Sequence, residues 1–174
     1  MSQKEIVIGL VLALCTCMAA IAGAQDASYR AEYWLERGLE ASDAGDNEEA
    51  VGYFTTSIEL DPTHAYTYEN RGWAYSALGR YDEAIVDFSK VIELDPGYVL
   101  AYSHRGEVYA ELGRFDEAVC DFTTAIELNP GYAVPYFNRG VAYKKLGETE
   151  KAKDDLKKAC DEGIDEACDA LKEL

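Results

Sequence analysis

Hydrophobic residues have the spacing of α-helices, in a pattern that recurs every 34 residues through most of the chain. When each 34-residue block is numbered from 1, apolar or small residues fall at positions 4, 8 and 11, and again at 17, 20, 21, 24, 27 and 28. Steps of three and four residues define one face of an α-helix. The four blocks, 31–64, 65–98, 99–132 and 133–166, are each predicted to form two amphipathic helices, which gives an all-α fold.

Small residues and helix breakers also recur at fixed positions of the blocks. Glycine at position 8 and alanine at position 20 have almost no side chain, so the two helices of a pair are expected to approach closely there. Proline at position 32 stops the second helix, because it lacks the backbone donor that a helix needs. These residues are Gly38, Gly72, Gly106 and Gly140 at position 8, Ala50, Ala84, Ala118 and Ala152 at position 20, and Pro62, Pro96 and Pro130 at position 32.

Residues 70–75 read NRGWAY, and related sequences follow one and two periods later as HRGEVY and NRGVAY. The 34-residue period, this motif and the recurring residues together resemble the tetratricopeptide repeat family. The resemblance implies a right-handed α-solenoid of helix-turn-helix repeats that acts as a non-catalytic protein-binding module. Residues 167–174 are expected to form a short capping helix, since solenoids generally need such a cap.

The arginine at position 7 of the motif has two alternative roles. Position 23 of the last three blocks is an aspartate, and the planar guanidinium suits a partly buried carboxylate. We therefore expect ion pairs that brace the helices, within or between neighbouring repeats; the alternative is an arginine that binds a ligand. The residues concerned are Arg71, Arg105 and Arg139, with Asp87, Asp121 and Asp155 as partners.

The first 24 residues differ from the repeats. Lys4 precedes an apolar run over residues 6–22, and residues 22–24 supply small side chains at the spacing of a cleavage site. This predicts a secretory signal peptide followed by a mature domain, 25–174. The alternative is an uncleaved membrane anchor, because residues 6–24 are about long enough to cross a bilayer. Both predict an exported protein that is periplasmic, extracellular or anchored to the outer side of the cytoplasmic membrane.

Acidic residues dominate the charge of the chain. Sixteen Lys and Arg against 33 Asp and Glu give a net charge of −17 at pH 7, and residues 25–132 hold −15 of it. Such a charge repels phosphate backbones and anionic membrane surfaces. Nucleic acid is therefore excluded as an expected partner, and membrane contact is expected only through an uncleaved N-terminal segment.

The resemblance also implies that the first helix of each pair lines a concave groove for a bound peptide. The family's clamp for a C-terminal carboxylate uses Lys, Arg and Asn at positions 5 and 9, and this sequence has none of them there. The sequence predicts a partner with apolar and basic residues, and an acidic group near two lysines of the last repeat. The alternative is that the apolar groove residues only contact the adjacent helix. The predicted groove residues are Leu35, Tyr66, Glu69, Trp73, Leu100, Glu107, Val134, Phe137, Val141, Lys144 and Lys145.

Two cysteines, Cys160 and Cys168, lie in the C-terminal stretch ACDEGIDEAC. This tail resembles the cysteine-bearing turns of Sel1-like repeat proteins, in which a disulfide joins consecutive helices. The resemblance implies a disulfide here, which export to an oxidising compartment permits; two free thiols are the alternative. No CxxC lies in the mature chain and the two histidines are far away in sequence, so neither a metal nor another cofactor is expected.

Catalytic motifs are absent from the sequence. It has no Gly-rich phosphate loop and no nucleophile elbow, and its two histidines occupy unrelated block positions. Two non-enzymatic functions remain. One is an exported module that binds a partner segment in its groove, as a scaffold or assembly factor of the cell envelope. The other is a structural spacer that self-associates through its repeats.

Overall fold

The structure, a computed structural model, describes residues 26–174. Helices follow one another throughout this part of the chain, and no strand occurs within it. The all-α prediction is confirmed, whereas the predicted signal peptide lies outside the described residues. The helices are α1 (described over 26–43), α2 (Asn47–Leu60), α3 (Ala65–Ala77), α4 (Tyr81–Leu94), α5 (Val99–Glu111), α6 (Phe115–Leu128), α7 (Ala133–Leu146), α8 (Thr149–Asp161) and α9 (Asp165–Lys172).

Each helix packs mainly against the helices that precede and follow it in the sequence. The pairs α3–α4, α5–α6 and α7–α8 are the hairpins of single repeats, and α2–α3, α4–α5 and α6–α7 contacts join neighbouring repeats. The first helices α5 and α7 also touch directly. This nearest-neighbour packing is that of an α-solenoid. Between residues 26 and 174, no helix is both long and apolar enough to cross a membrane.

The first helix of a pair ends at a glycine in a tight turn. Gly79 and Gly113 both have a φ of 72°, a left-handed conformation that residues with a Cβ rarely adopt. The amide of Arg80, the residue after the first of these glycines, donates back to the carbonyl of Tyr75 at 2.8 Å. The turn therefore satisfies backbone groups of the helix end while it reverses the chain.

The glycine at position 8 lies against an aromatic ring of the second helix. A Cβ added to Gly72 would lie 3.0 Å from Cε1 of Phe88, and one added to Gly106 would lie 2.8 Å from Cε1 of Phe122. Both rings are fully buried, so they have little room to move in a close-packed interior. The missing Cβ is therefore what lets the two helices approach this closely.

The arginines at position 7 form the expected ion pairs and one further contact. Arg71 donates from Nε and Nη2 to the two carboxylate oxygens of Asp87, at 2.7 and 2.8 Å. Its Nη1 donates to Oγ1 of Thr55 in the preceding repeat at 3.0 Å. The bracing role is thus confirmed, and each arginine also links two repeats. The same bonds occur at Arg105 with Asp121 and Ser89, and at Arg139 with Asp155 and Thr123.

Helix α9 covers the C-terminal end of the stack. Its Ala167 is fully buried and belongs to one apolar cluster with Leu156 of α8. Cys160 in α8 and Cys168 in α9 form a disulfide, with Cα atoms 4.8 Å apart. Cys120 is a free, exposed thiol. The cap is therefore held both by apolar packing and by a covalent bond.

Removing this disulfide in a Cys160→Ser, Cys168→Ser variant is expected to cost about 2–3 kcal/mol of unfolding free energy, because the bond restricts the unfolded chain. Helix α9 should lose protection against amide hydrogen exchange before the rest of the stack, since it is the last element. Cys120→Ser is the control and should change neither quantity. Equal protection of α9 in all three proteins would contradict the prediction.

Candidate partner-binding groove

Two neighbouring depressions run along the first helices of repeats 2, 3 and 4. One, of about 380 Å³, lies among α3, α5 and α7. The other, of about 430 Å³, lies between α5 and α7. Buried phenylalanine rings of the second helices, Phe88 and Phe122, lie beneath them. We call the two depressions the inner groove, defined by Trp73, His104, Glu107, Glu111, Asn138, Val141 and Lys145.

Trp73 gives the inner groove an exposed aromatic surface. The residue is 43% exposed, and its ring meets that of His104 edge-on, with centroids 4.5 Å apart. Phe88 supports it from below at a centroid distance of 6.3 Å. An aromatic side chain already held on one side loses little conformational entropy when a partner covers the other.

His104 lies beside Trp73 with an unsatisfied ring nitrogen. Its Nδ1 is buried and has no hydrogen-bond partner within residues 26–174, and Oε1 of Glu69 lies 3.6 Å from it. Burial lowers the pKa of His104 to about 4, because the charged ring is poorly solvated there. The imidazole is therefore neutral at pH 7.

Glu107 is a half-buried carboxylate at the centre of the inner groove. Its Oε1 accepts hydrogen bonds from Oγ of Ser103 at 3.3 Å and from Nδ2 of Asn138 at 3.0 Å. Burial raises the pKa of Glu107, and the two hydrogen bonds act in the opposite direction. The side chain is thus oriented by neutral donors on α5 and α7.

Two predicted groove residues, Glu69 and Leu35, lie in the interior instead. Glu69 is 5% exposed, and it accepts a hydrogen bond from the Tyr98 hydroxyl at 2.5 Å; burial raises its pKa. Leu35 is 8% exposed and packs with Phe54 in the core of the first repeat. Both residues occupy position 5, directly beside the core stripe, and neighbouring elements cover them. Their assignment to the groove is corrected.

The structure brings four of the predicted residues together in the inner groove, and three others lie at the starts of the first helices without lining it. Tyr66 and Leu100 are 44% and 39% exposed and lie in the first turns of α3 and α5. Val134 is half-buried at the start of α7. The four that line the inner groove are Trp73, Glu107, Val141 and Lys145.

The last two predicted groove residues, Phe137 and Lys144, contact the C-terminal cap instead. Phe137 packs against the apolar cluster that α8 and α9 share. Lys144 pairs with Glu173, with Nζ 3.2 Å from the carboxylate oxygen. Lys145 is therefore the lysine that the inner groove presents to a partner.

Family models for the tetratricopeptide repeat match most of the chain. Those described as tetratricopeptide repeat match residues 31–64, 65–98 and 133–162, and one described as TPR repeat matches residues 106–147. The chain belongs to the tetratricopeptide repeat family. Proteins of this family are generally non-catalytic modules for protein–protein interaction. No cluster of three metal-binding side chains occurs in the described part of this member.

Solved tetratricopeptide repeat structures share its architecture. A crystal structure of MamA is 28% identical with a TM-score of 0.75, covering 79% of this chain and 81% of MamA. The TPR domain of Arabidopsis OM64 is 30% identical with a TM-score of 0.65, covering 68% and 98%. The first TPR of Spaghetti (RPAP3), bound to the HSP90 peptide SRMEEVD, is 27% identical with a TM-score of 0.67, covering 69% and 95%. None of the curated proteins compared with this chain matches it significantly.

Three residues of the inner groove, His104, Glu111 and Asn138, are not among the predicted groove residues. His104 and Asn138 occupy position 6 of their repeats, which the resemblance to the tetratricopeptide repeat family did not assign to the groove. A signal existed, because position 6 is polar in all four repeats, with Glu36 and Asn70 as the other two cases. Polar residues at one repeated position of an amphipathic helix suggest a role beyond solvation.

The free energy of unfolding of this tetratricopeptide repeat protein is expected to fall by up to about 3 kcal/mol between pH 6.5 and pH 4 through His104 alone. The unfolded chain protonates this residue at its ordinary pKa, whereas the folded protein binds the proton only near pH 4. The stability is therefore complete above pH 6.5 and is lost as the pH falls. Urea unfolding at several pH values measures the effect.

His104→Asn is the matched variant, because asparagine occupies the same position in repeats 2 and 4. The comparison must be made between the two proteins, since the raised pKa values of Glu69 and Glu107 favour folding as the pH falls. As the pH falls, the wild type should lose stability relative to the variant, which lacks this titrating group. Parallel pH profiles would contradict the prediction.

Proposed function

We propose that this tetratricopeptide repeat protein is exported and binds a segment of a partner protein in the inner groove, as a scaffold or assembly factor of the cell envelope. The observation that carries the proposal is Trp73, which is 43% exposed and lines one of the two depressions of the inner groove. Exposed apolar surface in a groove is typical of an interaction site. The HSP90 peptide bound to the first TPR of Spaghetti supports peptide binding by this fold.

The charges of the inner groove indicate the chemistry of the partner. Glu107 and Glu111 lie in its middle, and Lys145 borders its repeat-4 end. A segment with apolar side chains for Trp73 and Val141, a basic residue between them and an acidic group near Lys145 is complementary to this surface. The overall charge of −17 adds attraction for a basic partner.

Export is proposed from residues 1–24 and is supported by the disulfide of the cap, because disulfides persist in oxidising compartments. N-terminal sequencing of protein recovered from the envelope and the medium tests the proposal. A mature chain that begins at Gln25 supports signal-peptide cleavage, whereas protein found only in the cytoplasm refutes export.

The groove is tested by a Trp73→Ala variant. A partner is first captured through a photo-crosslinker placed at Ser76 in the inner groove and identified, and its binding segment is then titrated against purified protein. We expect the variant to bind at least about tenfold more weakly, as is usual for a central aromatic contact residue.

Val86→Ala is the matched control for this titration. Val86 is 66% exposed on α4 and lies outside the inner groove, so its replacement removes apolar surface of another face. Unchanged affinity of the control together with a loss for Trp73→Ala supports the proposal. Equal affinities of both variants and wild type would refute the groove as the binding site.

The alternative function, a spacer that self-associates, is favoured by one observation. Tyr29 and Tyr33 are 79% and 55% exposed on α1, one helical turn apart on the same face. A second copy would bury them. Sedimentation velocity distinguishes the two functions: a monomer at micromolar concentration excludes the spacer, and a dimer that a Tyr29→Ser, Tyr33→Ser variant dissociates supports it.

A further inference from the structure

We infer that the depression among α3, α5 and α7 is a seat for one arginine side chain of the partner. The inference rests on the proposed function, since it specifies what the inner groove recognises. It depends on a set of hydrogen-bond acceptors, on an open aromatic surface and on the absence of Lys and Arg among the described residues that line this depression.

The first observation is a group of acceptor oxygens that receive no hydrogen bond from the described residues. Both hydrogen bonds to Glu107 end on Oε1, and its Oε2 accepts none within residues 26–174. Asn138 donates through Nδ2, which leaves its carbonyl oxygen free as an acceptor. Glu111, one turn further along α5, forms no ion pair with any described residue and is exposed. Three acceptor groups therefore border one depression.

The second observation is the missing positive charge. None of the described residues that line this depression is Lys or Arg, and His104 is neutral at pH 7 because burial lowers its pKa to about 4. Burial raises the pKa of Glu107, as expected for a carboxylate that has lost solvent without gaining a cation. A cation contributed by the partner would stabilise the ionised carboxylate of Glu107, which has lost part of its solvation.

The third observation selects the cation. Trp73 presents its exposed indole at the same depression, and indole is the best aromatic partner for a cation. A guanidinium is planar, stacks on aromatic rings and has five donors, so it can contact the indole and several separate acceptors at once. A lysine ammonium is a compact, strongly hydrated charge and matches this set less well.

The seat occurs once along the inner groove, because the repeats differ at the relevant positions. In repeat 4 the residues equivalent to Glu107 and Glu111 are Val141 and Lys145. The adjacent depression shares Glu107, Glu111 and Asn138 with the first, but Val141 and Lys145 line it where the first has Trp73 and His104. An arginine bound in the first depression would therefore fix the register of the whole bound segment.

The test uses three capped tripeptides, acetyl-Leu-X-Leu-amide, in which X is arginine, lysine or the uncharged arginine analogue citrulline. The protein is purified with the N-terminus that it has in cells. It carries the substitution Trp34→Phe, so that Trp73 is the single tryptophan of the chain. Tryptophan fluorescence follows the titrations. Should this variant fold poorly, the two indole NMR signals of the unaltered protein serve instead, with Trp34 as the internal reference.

We expect saturable binding of the arginine peptide, about tenfold tighter than the citrulline peptide and about threefold tighter than the lysine peptide. A Glu107→Gln, Glu111→Gln variant should lose the preference for arginine over citrulline. Glu127→Gln, an exposed glutamate of α6 outside the inner groove, should keep it. Equal binding of arginine and citrulline, equal binding of arginine and lysine, or an unchanged preference in the double variant would overturn the inference.

The captured partner separates this inference from the proposed function. If partner binding depends on Trp73 but survives replacement of every arginine of the partner segment by alanine, the groove function stands and the arginine seat is refuted. If partner binding is insensitive to Trp73→Ala, the proposed function itself is refuted.

Discussion

An Asp87→Ala variant is expected to lose about 3–5 kcal/mol of unfolding free energy, because one partner is removed from a buried ion pair. The side chain of Asp87 is 2% exposed and that of Arg71 is 15% exposed. After the change, the guanidinium stays inside the stack with Thr55 as its remaining hydrogen-bond acceptor. Urea unfolding followed by circular dichroism measures the loss.

Two further variants show whether the unpaired charge causes the loss. Arg37, the position-7 arginine of repeat 1, is 44% exposed in its side chain and pairs with Glu40 on the surface, so Arg37→Ala should cost much less than Asp87→Ala, because solvent screens an exposed ion pair. The double variant Arg71→Met, Asp87→Leu leaves no unpaired buried charge at this site and should be more stable than Asp87→Ala. A double variant that is no more stable than Asp87→Ala would contradict the ion-pair explanation.

A Phe122→Ala variant is expected to lose a similar amount, about 3–5 kcal/mol, because it leaves a cavity in a fully packed hairpin. Phe122 is 0% exposed and lies against Gly106, where a Cβ would come within 2.8 Å of the ring. The ring thus fills the space that the glycine leaves open. Chemical unfolding of the variant measures the loss directly.

Phe122→Leu is the matched control, since the chain itself uses leucine at this position of repeat 4. Leu156 is fully buried there and lies against Gly140. Exchange between large apolar residues should cost less than about 1.5 kcal/mol. A loss as large as that of the alanine variant would show that repeat 3 requires the aromatic ring itself.

The helical packing within each repeat could be predicted well from the sequence, because the same residue types recur at the same positions of successive repeats. Gly72 and Gly106 occur one period apart, and each meets the phenylalanine that the period places opposite it. The pairing of Arg71 with Asp87 was predicted in the same way. The link to Thr55 was missed, since it joins two repeats and depends on how far one hairpin is rotated against the next.

The candidate site was predicted less well for the same reason. Trp73 and Glu107 line the inner groove as expected, but Glu69 turns inward to the Tyr98 hydroxyl. Phe137 and Lys144 are engaged by the cap, whose position was not predictable from the repeat period. Residues at the border of a helical face change sides with a rotation of a few tens of degrees, which periodicity does not resolve.

The all-α fold, the two helices per repeat, the arginine–aspartate pairs and the acidic character of the chain could all be predicted from the amino-acid sequence. These follow from local periodicity and from residue types, which act within one hairpin. The packing of the repeats was needed to show which polar groups face the inner groove, that His104 has an unsatisfied nitrogen, and that Glu107, Glu111 and Asn138 meet beside Trp73. These depend on the packing of three successive first helices, because burial and hydrogen bonding between repeats are set by distances that no single repeat encodes.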